Sequence, residues 1–145
     1  MAKDAFTEEE KKQIVNAIKE AEKNTSGEIQ VHLENHCKED VMDHAAYIFK
    51  TLKMHKTDLR NGVLFYMAIK DHKFAILGDA GINNKVPENF WDDIKEHMLA
   101  HFKKGNLTAG LSEGIQMAGD QLAAHFPYQK DDENELPDEI SFGKN

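Results

Sequence analysis

Six oxygen-bearing side chains lie beside glycines in three short stretches of this chain. They are Glu28 in Ser26-Gly27-Glu28, Asp58 and Asn61 in Asp58-Leu59-Arg60-Asn61-Gly62, and Asp79, Asn83 and Asn84 in Gly78-Asp79-Ala80-Gly81-Ile82-Asn83-Asn84. Carboxylate, amide and backbone oxygens in loops are what hard cations such as Ca²⁺ and Mg²⁺ take as ligands. Glycine, asparagine and aspartate are also the ordinary residues of tight turns. Asp79-Ala80-Gly81-Ile82-Asn83 does not follow the EF-hand spacing. Residue type alone leaves both readings open. The choice depends on whether the three stretches meet in space.

The elements that would position them can be read from periodicity. Thr7-Glu8-Glu9-Glu10 is a capping box that opens a helix with Ile14, Ala17, Ile18 and Ala21 on one face, stopping near Asn24. Residues 28–34 alternate polar and apolar, which predicts a strand with one buried and one polar face. Asp40 can cap a second helix striped by Val41, Ala45, Ile48 and Leu52. Residues 63–69 are apolar on both faces, as in a central strand covered by helices. Lys70-Asp71-His72 then turns the chain into Lys73-Phe74-Ala75-Ile76-Leu77, closing a hairpin.

Residues 78–86 read as a loop, and Pro87 is placed to open a third helix along Phe90, Trp91, Ile94, Met98 and Phe102, ended by Gly105. The last helix carries Leu107, Leu111, Ile115, Ala118, Leu122 and Phe126 on one stripe. Its Gly110 and Gly114 cost helix propensity but leave a flat strip for close packing.

Together these predict a single α/β domain over residues 1–127: a small mixed sheet, one right-handed βαβ crossover plus an antiparallel hairpin strand, sandwiched between α-helices. Residues 128–145 hold six acids and two lysines and are expected to form a mobile acidic tail. In this topology the three glycine-bearing stretches gather at one end of the sheet. Asp79, Asn61, Glu28, Asp58 and Asn83 are therefore the candidate ligands of a divalent cation.

Composition narrows the remaining classes. The chain has 145 residues and a net charge of −8, which argues against nucleic acid and anionic membrane surfaces, both of which need clustered Lys and Arg. Half of that charge, −4, comes from residues 128–145. Cys37 is alone, so no intramolecular disulfide can form. The first residues contain no apolar leader segment, and the longest apolar run has seven residues against the roughly 20 of a spanning helix. A soluble, cytoplasmic monomer is expected.

Other groupings carry less. His97 and His101 share a helix face, but no acid follows the first, so a His-Glu-x-x-His site is absent. His32, His36 and Cys37 lack a fourth ligand at structural-zinc spacing. Thr108 and Ser112, near the start of the last helix, could meet a phosphate or simply cap the helix. Trp91 and the methionines read as core.

Asn61-Gly62-Val63-Leu64, Gly78-Asp79-Ala80-Gly81-Ile82, Phe102-Lys103-Lys104-Gly105-Asn106 and Ala109-Gly110-Leu111, with Ser26-Gly27-Glu28-Ile29 ahead of them, resemble the TPM domain family over about residues 7 to 127. That family joins a thylakoid-lumen acid phosphatase, a photosystem II repair protein and a modulator of a nematode acetylcholine receptor. The resemblance implies an α/β sandwich, a divalent-metal site at the loop edge in some members and a phosphatase label for the plant branch. By position it places Asp79 and Asn61 first among site residues, with Glu28 and Asp58 behind them. The chain departs from the family in having Asp79 where many members carry an aromatic residue, and in lacking their export signal and glycine-rich or membrane tail.

The phosphatase label meets chemical obstacles. Cys37 is not followed by an arginine at thiolate-phosphatase spacing, and there is no Asp-x-Asp or Arg-His-Gly nucleophile motif. Arg60 is the only arginine, so no pair of guanidinium groups can clamp a phosphoryl group. A metal-assisted phosphomonoesterase would have to polarise the ester through the cation. Three readings follow: a divalent-cation-binding domain with a binding or regulatory role, a metal-dependent phosphatase, and a protein-interaction module using the acidic tail. Catalytic residues and any protein partner stay unassigned.

Overall fold

A computed structural model describes residues 2–128, 136 and 138–143. Helix α1 (Glu8–Glu22) starts at the expected capping box: Thr7 Oγ1 accepts from the Glu10 amide at 3.0 Å, and Glu10 Oε1 accepts from the Thr7 amide at 2.9 Å. Strand β1 (Glu28–Glu34) and helix α2 (Val41–Thr51) follow, the latter capped by Asp40 through the amides of Met42 and Asp43. Next come β2 (Gly62–Ala68), β3 (Lys73–Gly78), the short helix α3 (Ala80–Asn83), α4 (Asp92–Lys103), α5 (Leu107–His125) and β4 (Ser141–Phe142).

The sheet order is β3-β2-β1-β4. Strand β1 runs parallel to β2 and β4, while β2 and β3 form the antiparallel hairpin. One face is covered by α1, α4 and α5, whose Ile14, Ile18, Ile94, Met98, Ile115 and Leu122 pack on Ile29, Val31, Val63 and Phe65. The other face is covered by α2, with Ala45, Ile48 and Phe49 against Leu64, Tyr66, Ala68 and Ala75. All seven residues of β2 are buried, as a strand apolar on both faces requires. This is the expected mixed α/β sandwich.

Glycines make the helical layer thin. A Cβ at Gly110 would stand 2.5 Å from the Phe102 ring and one at Gly114 2.5 Å from the Met98 sulfur. One at Gly119 would stand 2.6 Å from Ala21 Cβ. Thus α5 lies close against α4 on one side and α1 on the other. Its lost helix propensity is offset by this close packing.

Four expectations need correction. The polar face of β1 is not open to solvent, since all seven residues of the strand are buried. Alternation distinguishes polar from apolar positions, and here the polar ones are covered, His32 bonding Glu34 and Glu28 accepting from the Leu136 amide. The fold also continues past Pro127, where the acidic tail was expected to start. Leu136 is buried, and Ser141 and Phe142 pair with His32 and Leu33 of β1. The rest of that segment, residues 129–135, 137 and 144–145, lies outside the described residues. Third, residues 80–83 are helical rather than loop. Finally, Pro87 begins a turn, and α4 starts at Asp92, with Trp91 as its N-cap.

Candidate functional site at the loop edge

The three glycine-bearing turns do meet. The parallel register sets Glu28 opposite Gly62, and the hairpin sets Gly78 opposite Val63. Backbone bonds lock them together: Glu28 N–H to the Asn61 carbonyl at 3.2 Å, Asp79 N–H to the Gly62 carbonyl at 3.0 Å and Gly81 N–H to the Arg60 carbonyl at 2.9 Å. Gly81 is required by this approach, because a Cβ there would lie 2.1 Å from the Leu59 carbonyl oxygen.

Asp79 is the centre of this edge. Its side chain is 6% exposed, and Arg60 grips it with two hydrogen bonds, Nε to Oδ2 at 2.7 Å and Nη2 to Oδ1 at 2.8 Å. Oδ1 also accepts from the Ala80 amide at 2.8 Å, capping α3. The geometry is the bidentate fork that arginine forms with carboxylates. Arg60 itself is 49% exposed along its side chain and sits at φ +51°, a left-handed conformation rare for a residue with a Cβ. Hydrogen bonding and charge from Asp79 raise the Arg60 pKa above its already high ordinary value. Arg60 entered the sequence analysis as a count, and its contact with Asp79 was missed. Asking what neutralises an aspartate buried at a loop would have pointed to the arginine in the facing turn.

The other expected residues spread out. The Asn61 amide nitrogen reaches Ser26 Oγ at 3.5 Å, on the same edge as Asp79. Asn83 is exposed and donates from Nδ2 to the Gly78 carbonyl at 3.0 Å. Asp58 is exposed in the turn before Arg60. Glu28 is 3% exposed, and its Oε1 accepts from the Leu136 amide at 3.1 Å, which commits it to the C-terminal segment. There it shares an acidic neighbourhood with Glu22 and Asp138. Burial, followed by the Asp138 hydrogen bond, pushes the Glu22 carboxyl up to about 9, so it is protonated at neutral pH. No group of three His, Cys, Asp or Glu side chains among the described residues is arranged to hold an ion.

A second polar constellation was not legible beforehand. On the polar face of β1, His32 Nδ1 meets Ser141 Oγ at 2.8 Å and His32 Nε2 meets Glu34 Oε1 at 3.0 Å. Glu34 Oε2 accepts from the Tyr66 hydroxyl at 2.6 Å and pairs with His44 Nε2 at 2.9 Å. His44 Nδ1 meets Glu39 at 2.6 Å. Burial lowers the His32 pKa despite Glu34 beside it. Burial would raise Glu34, but hydrogen bonds from Tyr66, His32 and His44 outweigh it and hold the carboxyl low. Burial likewise opposes charge on His44, yet Glu39 and Glu34 raise its pKa. Tyr66 is raised, first by burial and then by Glu34. The period-two pattern of residues 28–34 was the available signal, read as solvation instead of pairing.

The remaining histidines fall into separate contacts. His36 Nδ1 meets Asp71 at 2.9 Å, and Cys37 Sγ donates to the Glu39 carbonyl at 3.3 Å, so His32, His36 and Cys37 do not converge. His101 pairs with Glu113, tying α4 to α5. Thr108 Oγ1 donates to Glu10 Oε2 at 2.8 Å, which joins α5 to α1. No described helix is long and apolar enough to cross a membrane.

Comparison with known proteins bears on both fold and family. The chain is 52% identical to the BA42 protein of the psychrophilic bacterium Bizionia argentinensis, whose NMR structure matches over 95% of each chain with a TM-score of 0.90. The N-terminal domain of a protein from P. gingivalis matches at 18% identity and TM-score 0.69, over 83% of this chain and 78% of that one. The N-terminal domain of the cg2496 protein from Corynebacterium glutamicum matches at 9% identity and TM-score 0.64, over 97% of this chain and 81% of that one. These last two are likenesses of fold. Among curated proteins there is no match. The model of the TPM domain matches residues 2–121, and the chain belongs to the TPM domain family.

Proposed function

We propose that this TPM domain binds a divalent cation, Ca²⁺ or Mg²⁺, at the loop edge and serves a binding or regulatory role. The observation that carries this reading is the Asp79 carboxylate: held nearly buried where three turns converge, with a half-exposed Arg60 as its ion-pair partner among the described residues. An arriving cation can take the place of that guanidinium, which swings into solvent without leaving a buried charge behind. Asn61 on the same edge and the backbone carbonyls of the turns would add neutral oxygens, and Asp58 a carboxylate from the exposed turn before Arg60. The donor set is all oxygen, which fits a hard cation and disfavours zinc or copper. Glu28 and Asn83 belong to the supporting shell, each already engaged as described.

Binding is favoured over phosphoryl transfer because a chain with one arginine has no pair of guanidinium groups to clamp a phosphoryl group. Calcium titration followed by residue-resolved NMR tests the reading. Amides of Arg60, Asp79 and Gly81 are expected to shift at up to millimolar calcium, with Asp79→Asn abolishing the response and Arg60→Gln strengthening it several-fold by removing the internal competitor. Silence around Asp79 at millimolar calcium overturns it.

A further inference from the structure

At the opposite end of β2 from Asp79, the hairpin turn and the α4–α5 junction line a half-open cavity of about 600 Å³. That volume lies inside the roughly 300–1,000 Å³ span of small-molecule sites. Its walls are apolar: Ile69, Phe74, Phe102 and Leu107 are packed against the core on one side and only partly buried on the other, and Leu99 is 42% exposed. Phe74 and Phe102 meet edge to face with ring centres 5.1 Å apart, forming a firm aromatic floor.

The charged residues of the lining have one sign. Lys70, Lys73 and Lys103 contribute, and no Asp or Glu does, in a chain with 26 acids and 18 bases. Lys73 is turned away, its Nζ donating to the Cys37 carbonyl at 3.0 Å. Lys70 and Lys103 are exposed and ion-paired with none of the described residues. A greasy wall rimmed by uncommitted ammonium groups is complementary to an amphipathic anion. Lysine ammonium groups act as point charges on flexible stems, and a carboxylate can be met by one or both of them without a planar fork.

We propose that this cavity binds a medium-chain fatty acid, its alkyl chain lying against Phe74, Phe102 and Leu107 and its carboxylate held by Lys70 and Lys103. The site is separate from Asp79 and does not depend on the cation reading.

The test is an NMR titration of the full chain with monomeric decanoate, in calcium-free buffer containing a chelator. Amides of residues 69–74 and 99–107 are expected to shift together, while those around Asp79 stay still. The charge reversals K70E and K103E combined are expected to weaken decanoate about tenfold or more, and 1-decanol to bind more weakly than decanoate by a similar factor. Leu99→Asp, at an exposed position, is expected to weaken both ligands. Absence of shifts, equal binding of decanol and decanoate, or shifts that follow protein concentration alone would each overturn the proposal. Asp79→Asn is expected to bind decanoate unchanged, so failure of the cation reading leaves this result interpretable.

Discussion

Asp79 and Glu34 are two nearly buried carboxylates on one sheet, neutralised in different ways. Asp79 meets a single half-exposed arginine on the rim. Glu34 is enclosed by His32 from its own strand, Tyr66 from β2 and His44 from α2. A rim partner can leave, because its charge returns to water. An enclosed partner cannot, because each member of the network would lose a bond in a low-dielectric interior. The contrast divides the molecule into an edge suited to exchange and a polar seam suited to holding the strand order.

The sharpest way to break this contrast is Glu34→Ala. It strips acceptors from Tyr66, His32 and His44 together, and about 3–5 kcal/mol of stability should be lost in urea unfolding. Glu34→Gln keeps an oxygen for Tyr66 and is expected to lose about 1–2 kcal/mol.

The seam carries its own pH dependence. Folded His32 and Glu34 both titrate below their ordinary values of 6.5 and 4.5, so their contributions are present above those values and vanish as pH falls through the lowered ones. His44 is raised, so its contribution is full below 6.5 and fades as pH rises through its folded value. As pH falls from about 9 to 4.5 the raised Glu22 carboxyl adds stability and opposes the loss at His32, so the profile is read in a Glu22→Gln background. There, stability measured by denaturant should fall below pH 6.5 and again below 4.5, the second fall being absent in Glu34→Gln. A flat profile in the Glu22→Gln background would mean that the histidine seam is not coupled to folding.

Truncation after residue 135 removes β4 and the Ser141 hydroxyl from His32. A loss of roughly 1–3 kcal/mol is expected. Amide exchange should accelerate in β1 while staying slow in β3. Equal protection in both strands would argue that β4 only rests on the sheet. At the rim the effects are smaller. Asp79→Ala removes a cap and an ion pair and should cost about 1 kcal/mol. Arg60→Ala should cost under about 1 kcal/mol, since the pair is half exposed.

These two regions also differ in how far sequence reading reached them. Local signals held where chemistry is local: Thr7 with Glu10, Asp40 before α2, and the doubly apolar β2 each decided an element without distant help. The meeting of the three turns was legible too, since it follows from one parallel and one antiparallel pairing. What escaped depends on contacts between remote positions. Ser141 pairs across more than a hundred residues with His32, and nothing in a two-residue strand of a polar segment announces that partner. Burial of the polar side of β1 depends on the same segment and on α2. Arg60 was visible as a residue type but not as a partner, because side-chain pairing between turns is decided by backbone angles such as its left-handed φ.

The most direct measurement follows the side-chain carboxyl carbons of Asp79 and Glu34 by ¹³C NMR during a calcium titration at neutral pH. The account predicts that the Asp79 resonance moves to saturation at up to millimolar calcium while Glu34 stays fixed. A still Asp79, or a Glu34 that moves with it, would contradict the division between an exchangeable rim and a closed seam.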